Sequence, residues 1–150
     1  MSTELMVELS SEPIDVVRQL AAASGSQHGA TTMFLGSVRD HDPQVGQERV
    51  VAIEYSAHPE ASATLQREVA QLAEETLAED WSGVDARVVV IHRIGPVQVG
   101  EPAMLVIVST AHRHPGSKLV PALVERIKAT APIWKRQILA DGSSQWSNLP

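Results

Sequence analysis

Two lysines late in the chain, Lys128 and Lys135, are separated by a stretch that contains Pro132. A proline closing a helix breaks the helical count, so the chain can turn and bring the second ammonium back toward the first. Close ammonium groups disfavour each other's charge, and a lysine of lowered pKa serves as a base or nucleophile near neutrality. Spacing alone leaves the plainer alternative open. A lysine in the last turn of a helix offsets the negative end of the dipole, and both are then surface cations. A second constellation, His112-Arg113-His114, directly follows a strand-like run. Histidines at i and i+2 of extended chain face one way, which suits an anion, a proton transfer or a metal. Zinc would need a third protein ligand, and no acidic residue lies close in sequence. The third constellation is Phe34-Leu35-Gly36-Ser37-Val38-Arg39. Phe34 is the only phenylalanine, Gly36 permits close backbone approach, and the planar fork of Arg39 matches a phosphate or carboxylate.

The composition narrows the chemistry. The chain has 150 residues and no cysteine, which excludes disulfides, Cys-ligated metals and a thiol nucleophile of its own. That length makes a single domain, 1–150, with a real hydrophobic core. The net charge of −6 argues against nucleic acid and anionic membranes as partners. It conceals an asymmetry: residues 1–86 carry 4 basic and 15 acidic side chains, residues 87–150 carry 8 basic and 3 acidic. No apolar run reaches the length of a membrane span, and Met1-Ser2-Thr3-Glu4 does not open a signal peptide, so the expected location is the cytoplasm.

The elements that must position these residues follow from periodicity. Glu4–Leu9 reads as a strand and Glu12–Ala23 as a helix, with Ser11 as its cap and Pro13 in its first turn. Ala30–Leu35 and Val50–Tyr55 read as strands around a turn-prone stretch from Asp40 to Gln47. Pro59–Glu79 carries the longest 3.6-residue apolar pattern, through Leu65, Val69, Leu72 and Ala73. Arg87–His92 holds a continuous apolar run, the mark of a strand covered on both faces, and Met104–Thr110 reads as another strand. A helix is expected from about Ser117 to Thr130 with Pro121 in its first turn; Ile133–Leu139 would be a last strand. This irregular alternation predicts an α+β fold, mainly antiparallel sheet packed with about three helices.

In order along the chain, these segments resemble the large, catalytic subunit of molybdopterin synthase. The resemblance rests on Phe34–Arg39, Ile53-Glu54-Tyr55, Ile91–Gly95 and Gly100-Glu101, then Ser109–Arg113, Lys128–Arg136, Asp141-Gly142 and Trp146. The His-Arg pair followed by Lys-x3-Pro-x-Trp-Lys is its most specific part. It implies an α/β-hammerhead type of fold and a sulfurtransferase of molybdenum cofactor biosynthesis. Such an enzyme moves sulfur from the C-terminal thiocarboxylate of a small ubiquitin-like subunit to cyclic pyranopterin monophosphate, forming the molybdopterin dithiolene. It implies a homodimer within a heterotetramer, and no cofactor or metal.

By position, Lys128 matches the family lysine nearest the incoming tail, suited to acid–base work, and Lys135 the one that holds substrate or developing negative charge. His112 and Arg113 match the pair at the anionic end of the substrate, Arg39 the loop arginine, and Phe34 the aromatic beside the tail or pterin channel. His92-Arg93 also fits, read as mainly structural. The chain departs from the family at His58–Ala61, at His114–Lys118 and at Gln137, where a glutamate commonly follows Trp-Lys-Arg. Two other readings compete: a non-catalytic docking module for a ubiquitin-like tail, and a metal protein using His92, His112 and His114.

Overall fold

Two runs of nearly continuous burial, 86–93 and 102–110, form the centre of the larger sheet. The computed structural model describes residues 3–81 and 84–147. Its strands in chain order are β1 (Thr3–Ser10), β2 (Ala30–Ser37), β3 (Val50–Ala57), β4 (Ala86–Arg93), β5 (Gly95–Gln98), β6 (Pro102–Thr110), β7 (Ile133–Leu139) and β8 (Ser144–Ser147). The helices are α1 (Val16–Ala23), α2 (Ala61–Asp80) and α3 (Arg113–Thr130). One sheet has the order β1-β4-β6-β2, the other β5-β3-β7-β8. Only the β1–β4 pair is parallel among the described ladders; the rest are antiparallel, so the α+β expectation holds.

The central strands β4 and β6 are covered twice. Val88 and Val90 face Leu65, Val69 and Ala73 of α2 and Leu119, Leu123 and Ile127 of α3. Val89 and Ile91 face the other way, with Leu105 and Ile107, toward Val16 and Leu20. Covering both faces is why the Val88–Ile91 run is apolar at every position instead of alternate ones. The second sheet has a smaller core, built from Val50, Ile53, Val97 and Leu139 with Val38 and Ala103.

Two helix starts differ from expectation by four residues each. The first helix begins at Val16, not Glu12, because the Asp15 side chain accepts the Arg18 N–H and caps it there. The last helix begins at Arg113, four residues before the expected Ser117. Pro115, not Pro121, therefore occupies its first turn, where no intrahelical donor is lost. Pro121 lies inside the helix on its exposed side, so it removes only the N–H that would meet the carbonyl of Ser117, itself exposed. Buried Leu119, Val120, Leu123 and Val124 hold the helix across that gap. Strand β8 was not foreseen; the Asp40–Gln47 stretch contains a single 3-10 turn, Pro43–Val45.

Candidate active site

Where β4 ends and β6 begins, the two sheets meet around a cavity of about 340 Å³. The larger sheet contributes Phe34, Gly36, His92 and Met104, and the smaller sheet Tyr55, Lys135 and Gln137. Lys128 enters from the last turn of α3, and Arg39, His41 and Asp42 from the loop after β2. The lining thus mixes apolar side chains, Ile53, Met104, Ile127 and Ile133, with the cations Arg39, Lys128 and Lys135. That mixture suits a small ligand with a planar body and an anionic group.

The return of the chain at Pro132 is what unites the two lysines. Helix α3 closes with the Ala131 N–H bonded to the Ile127 carbonyl. The Pro132 carbonyl then accepts the His58 N–H, and β7 starts at Ile133. Along β7 the side chains of Ile133, Lys135 and Gln137 face the cavity, so Lys135 comes back beside Lys128. Gly36 makes room on the opposite wall: a Cβ there would lie 3.2 Å from the Phe34 ring.

The electrostatics centre on Lys135. Burial pulls its pKa below the ordinary lysine value, Asp42 opposes that pull, and the nearby charges of Lys128 and Arg39 reinforce it. Asp42 is buried, at 7% exposure. Its Oδ1 accepts the Gln44 N–H at 2.9 Å, its Oδ2 accepts Gln137 Nε2 at 2.7 Å, and Lys135 Nζ lies 4.0 Å from Oδ2. Burial works to raise the Asp42 pKa, but those hydrogen bonds and the charges of Lys135 and Arg39 leave it below the usual carboxylate value. Gln137, the departure from the family pattern, is therefore the direct partner of a carboxylate. The negative charge that a glutamate at that position would bring stands one hydrogen bond away, on Asp42.

His92 and Tyr55 form the floor between the lysines, with their rings edge to face at 5.1 Å. His92 Nδ1 lies 2.7 Å from the Arg93 carbonyl, which only accepts, so Nδ1 carries the proton. Burial lowers the His92 pKa, with Lys128 adding to the effect, and the ring is neutral at pH 7. Burial likewise pushes the Tyr55 phenol up to about 12, which keeps it protonated and a donor. Arg93 is buried outside the cavity and donates to the Pro96 carbonyl at 3.1 Å, the structural role expected of it. His92 instead faces the cavity.

The cavity thus gathers four of the six expected site residues: Lys128, Lys135, Arg39 and Phe34. His112 and Arg113 are elsewhere, exposed at the start of α3. Arg113 precedes Lys128 by fifteen helical positions, a rise of about 22 Å. The sheet gives the same separation, because Thr110 pairs with Ala86 and His92 pairs with Met104, at opposite ends of β4. His92 therefore does not meet His112 and His114, and among the described residues no group of three His, Cys, Asp or Glu side chains is placed to hold a metal. Sequence reasoning did not single out Asp42 or Tyr55 as cavity residues. Their only signals were a turn-prone stretch and a place in the Ile53-Glu54-Tyr55 segment.

The model of the family described as "MoaE protein" matches residues 9–130. The molybdopterin synthase catalytic subunit of Bacillus subtilis is 33% identical over 139 residues, 93% of this chain and 82% of that one. The crystal structure of molybdopterin synthase from Staphylococcus aureus superposes with a TM-score of 0.73 at 30% identity, covering 97% of this chain and 96% of that one. A chain from the complex of subunits 1 and 2 of molybdopterin-converting factor of Helicobacter pylori shares the fold, with a TM-score of 0.69 at 19% identity, over 97% of this chain and 90% of its own. By the extent of the family match and the identity to its relatives, the chain belongs to the MoaE protein family of molybdopterin synthase catalytic subunits.

Proposed function

We propose that the cavity is the sulfur-transfer site of a molybdopterin synthase catalytic subunit, with Lys128 and Lys135 as its catalytic residues. The observation that carries this reading is the convergence of both lysines and Arg39 on one partly apolar cavity. The substrate, cyclic pyranopterin monophosphate, is a ring system bearing a phosphate, and the sulfur donor is a thiocarboxylate at the C-terminus of a small ubiquitin-like partner. Both bring negative charge. Once the thiocarboxylate sulfur has bonded to the pterin, water adds to the acyl carbon to form an oxyanion. The acyl C–S bond then breaks, leaving sulfur on the pterin and a carboxylate on the tail, and positioned ammonium groups stabilise both anions. Lys128, exposed at the rim on the helix end, meets the incoming tail and moves protons; half-buried Lys135 holds negative charge deeper inside. Arg39 binds the phosphate, and Phe34 lies beside the ring or tail. The chain has no cysteine, which accords with a sulfur brought by the partner.

His112 and Arg113 enter the same proposal only through a second copy. About 22 Å of helix separates Arg113 from Lys128, so these residues can serve the anionic end of a substrate only in another protomer's cavity. In this proposal the homodimer within a heterotetramer is what brings them there. Location in the cytoplasm belongs to the same proposal; among the described residues no helix is long and apolar enough to cross a membrane.

The decisive test is conversion of the cyclic pterin by the full chain with its thiocarboxylated partner. The native chain gives product, and Lys128→Ala lowers turnover by about 10²-fold or more, the scale of a lost acid–base group. Native turnover in Lys128→Ala would remove that lysine from the mechanism. Absence of turnover by the native chain with several thiocarboxylated donors would favour a docking module.

A further inference from the structure

We propose that Asp42 is a positioning residue of this site: its carboxylate, brought in by the loop after β2, holds the Lys135 ammonium in the cavity and is itself aimed by Gln137 and the Gln44 N–H. The inference rests on the reading of Lys135 as a site lysine and deepens it.

Two segments meet at this carboxylate, its own loop and β7. Oδ1 caps the 3-10 turn through the Gln44 N–H at 2.9 Å, and that contact alone would satisfy a structural cap. Oδ2 does something else. It accepts from Gln137 Nε2 at 2.7 Å, and the same amide reaches Ser147 Oγ on β8 at 2.6 Å, so the amide that aims the carboxylate is itself held between β7 and β8. Held in that way, Oδ2 stands 4.0 Å from Lys135 Nζ. The separation exceeds a hydrogen bond, so Asp42 attracts the ammonium without consuming its N–H donors, which remain for a ligand.

The surroundings give that attraction its purpose. Around Lys135 stand Lys128 from α3, Arg39 and His41 from the loop, His92 from β4 and Tyr55 from β3. Among the described lining residues, Asp42 is the one carboxylate facing these groups. Burying a carboxylate is costly unless it is paired and hydrogen-bonded, and Asp42 is both. Without it, burial and the two neighbouring cations would drive Lys135 toward the neutral amine. An amine cannot hold the developing negative charge that this site must carry.

The test compares rate–pH profiles of the full chain with its thiocarboxylated partner. Asp42→Asn keeps the shape and the cap but deletes the charge. Its alkaline limb is expected to move to lower pH by about one unit, the effect of losing an opposite charge at this distance, with the acidic side little changed. Asp42→Asn with Gln137→Glu moves the carboxylate across the same hydrogen bond and should return the limb toward its native position. Reductive methylation with ¹³C-formaldehyde reads the group directly, with Lys135→Arg assigning the signal: the Lys135 titration midpoint should fall in Asp42→Asn and recover in the double variant. Uniform loss at all pH values, or an unmoved midpoint, would reduce Asp42 to a cap and overturn the proposal. Asp42→Ser, which retains a capping oxygen, serves if the asparagine variant does not fold. Full turnover in Lys135→Ala would refute the site reading instead, while the methyl signal still reports on Asp42.

Discussion

The two sheets use the same strand geometry for opposite ends. In the larger sheet, β6 is buried along nearly its whole length and both faces are closed by helices, so its side chains from Ala103 to Val108 pack in apolar clusters and only Ser109 and Thr110 need polar partners. In the smaller sheet, β7 alternates between a face that lines the cavity and one that meets solvent. Its outer face carries Trp134, 48% exposed, and Arg136, paired with Glu54 at 2.8 Å and lying 5.8 Å over the Trp146 ring. Its inner face carries Lys135 and Gln137, half-buried and buried polar groups that need partners from distant loops. The difference teaches a division of labour. The larger sheet supplies stability and a fixed edge, and the smaller sheet spends burial on charge.

That division makes sharply different predictions for the two regions, and the largest concerns the core. Leu123 is fully buried between α3 and the larger sheet. Leu123→Ala should cost about 3 kcal/mol by removing buried methyl groups and leaving a cavity, read from the urea midpoint. Turnover per folded molecule should stay native. A large drop in that turnover would show that the site draws on core packing, and the comparison would fail.

On the other side, Arg39→Ala should change binding and leave stability alone. Arg39 is exposed at the cavity mouth, so its loss should move the unfolding free energy by no more than about 0.5 kcal/mol. The KM for cyclic pterin should rise about tenfold, worth about 1.4 kcal/mol of lost anion binding. An unchanged KM would count against the phosphate role. Arg113→Ala, some 22 Å along the helix, should raise KM in the same direction only if a second copy completes the cavity.

How much of this was legible in the sequence follows the same line. The β4 and β6 runs and the α2 period were readable because a strand covered on both faces is apolar at every position and an amphipathic helix repeats every 3.6 residues. The meeting of Lys128 and Lys135 was readable because one proline lies between them and the turn is local. The start of α3 was misread because Pro115-Gly116 looks like a turn. Pro115 instead fits a helix's first turn, and Gly116 lets α3 approach β2, where a Cβ would meet Thr32 Oγ1 at 2.6 Å. Asp42 was invisible for another reason. Its partner Gln137 lies 95 residues away, and no periodicity links a loop carboxylate to a strand amide. Nor did the sequence reveal that a continuous helix would carry His112 and Arg113 away from the cavity.

The smallest expected effect tests where the two sheets touch. His92 lies one residue from the end of β4, one of the two covered strands of the larger sheet, yet it faces the cavity and is held neutral by burial. Its pKa is lower folded than unfolded, so as pH falls below about 6.5 the unfolded chain takes up a proton that the folded chain refuses. Stability should therefore decline with acidification from about pH 6.5 down to the folded value, by at most about 1.4 kcal/mol per pH unit for one proton. His92→Asn keeps an N–H for the Arg93 carbonyl that Nδ1 now meets, and it removes the titrating ring. The variant should be somewhat less stable at pH 8, and its stability should fall less steeply between pH 6.5 and 5 than that of the native chain. Equal slopes in the two proteins would mean that His92 takes up its proton as readily folded as unfolded. In that case the cavity floor would be open to water, and the larger sheet's dry core would end before its last residue.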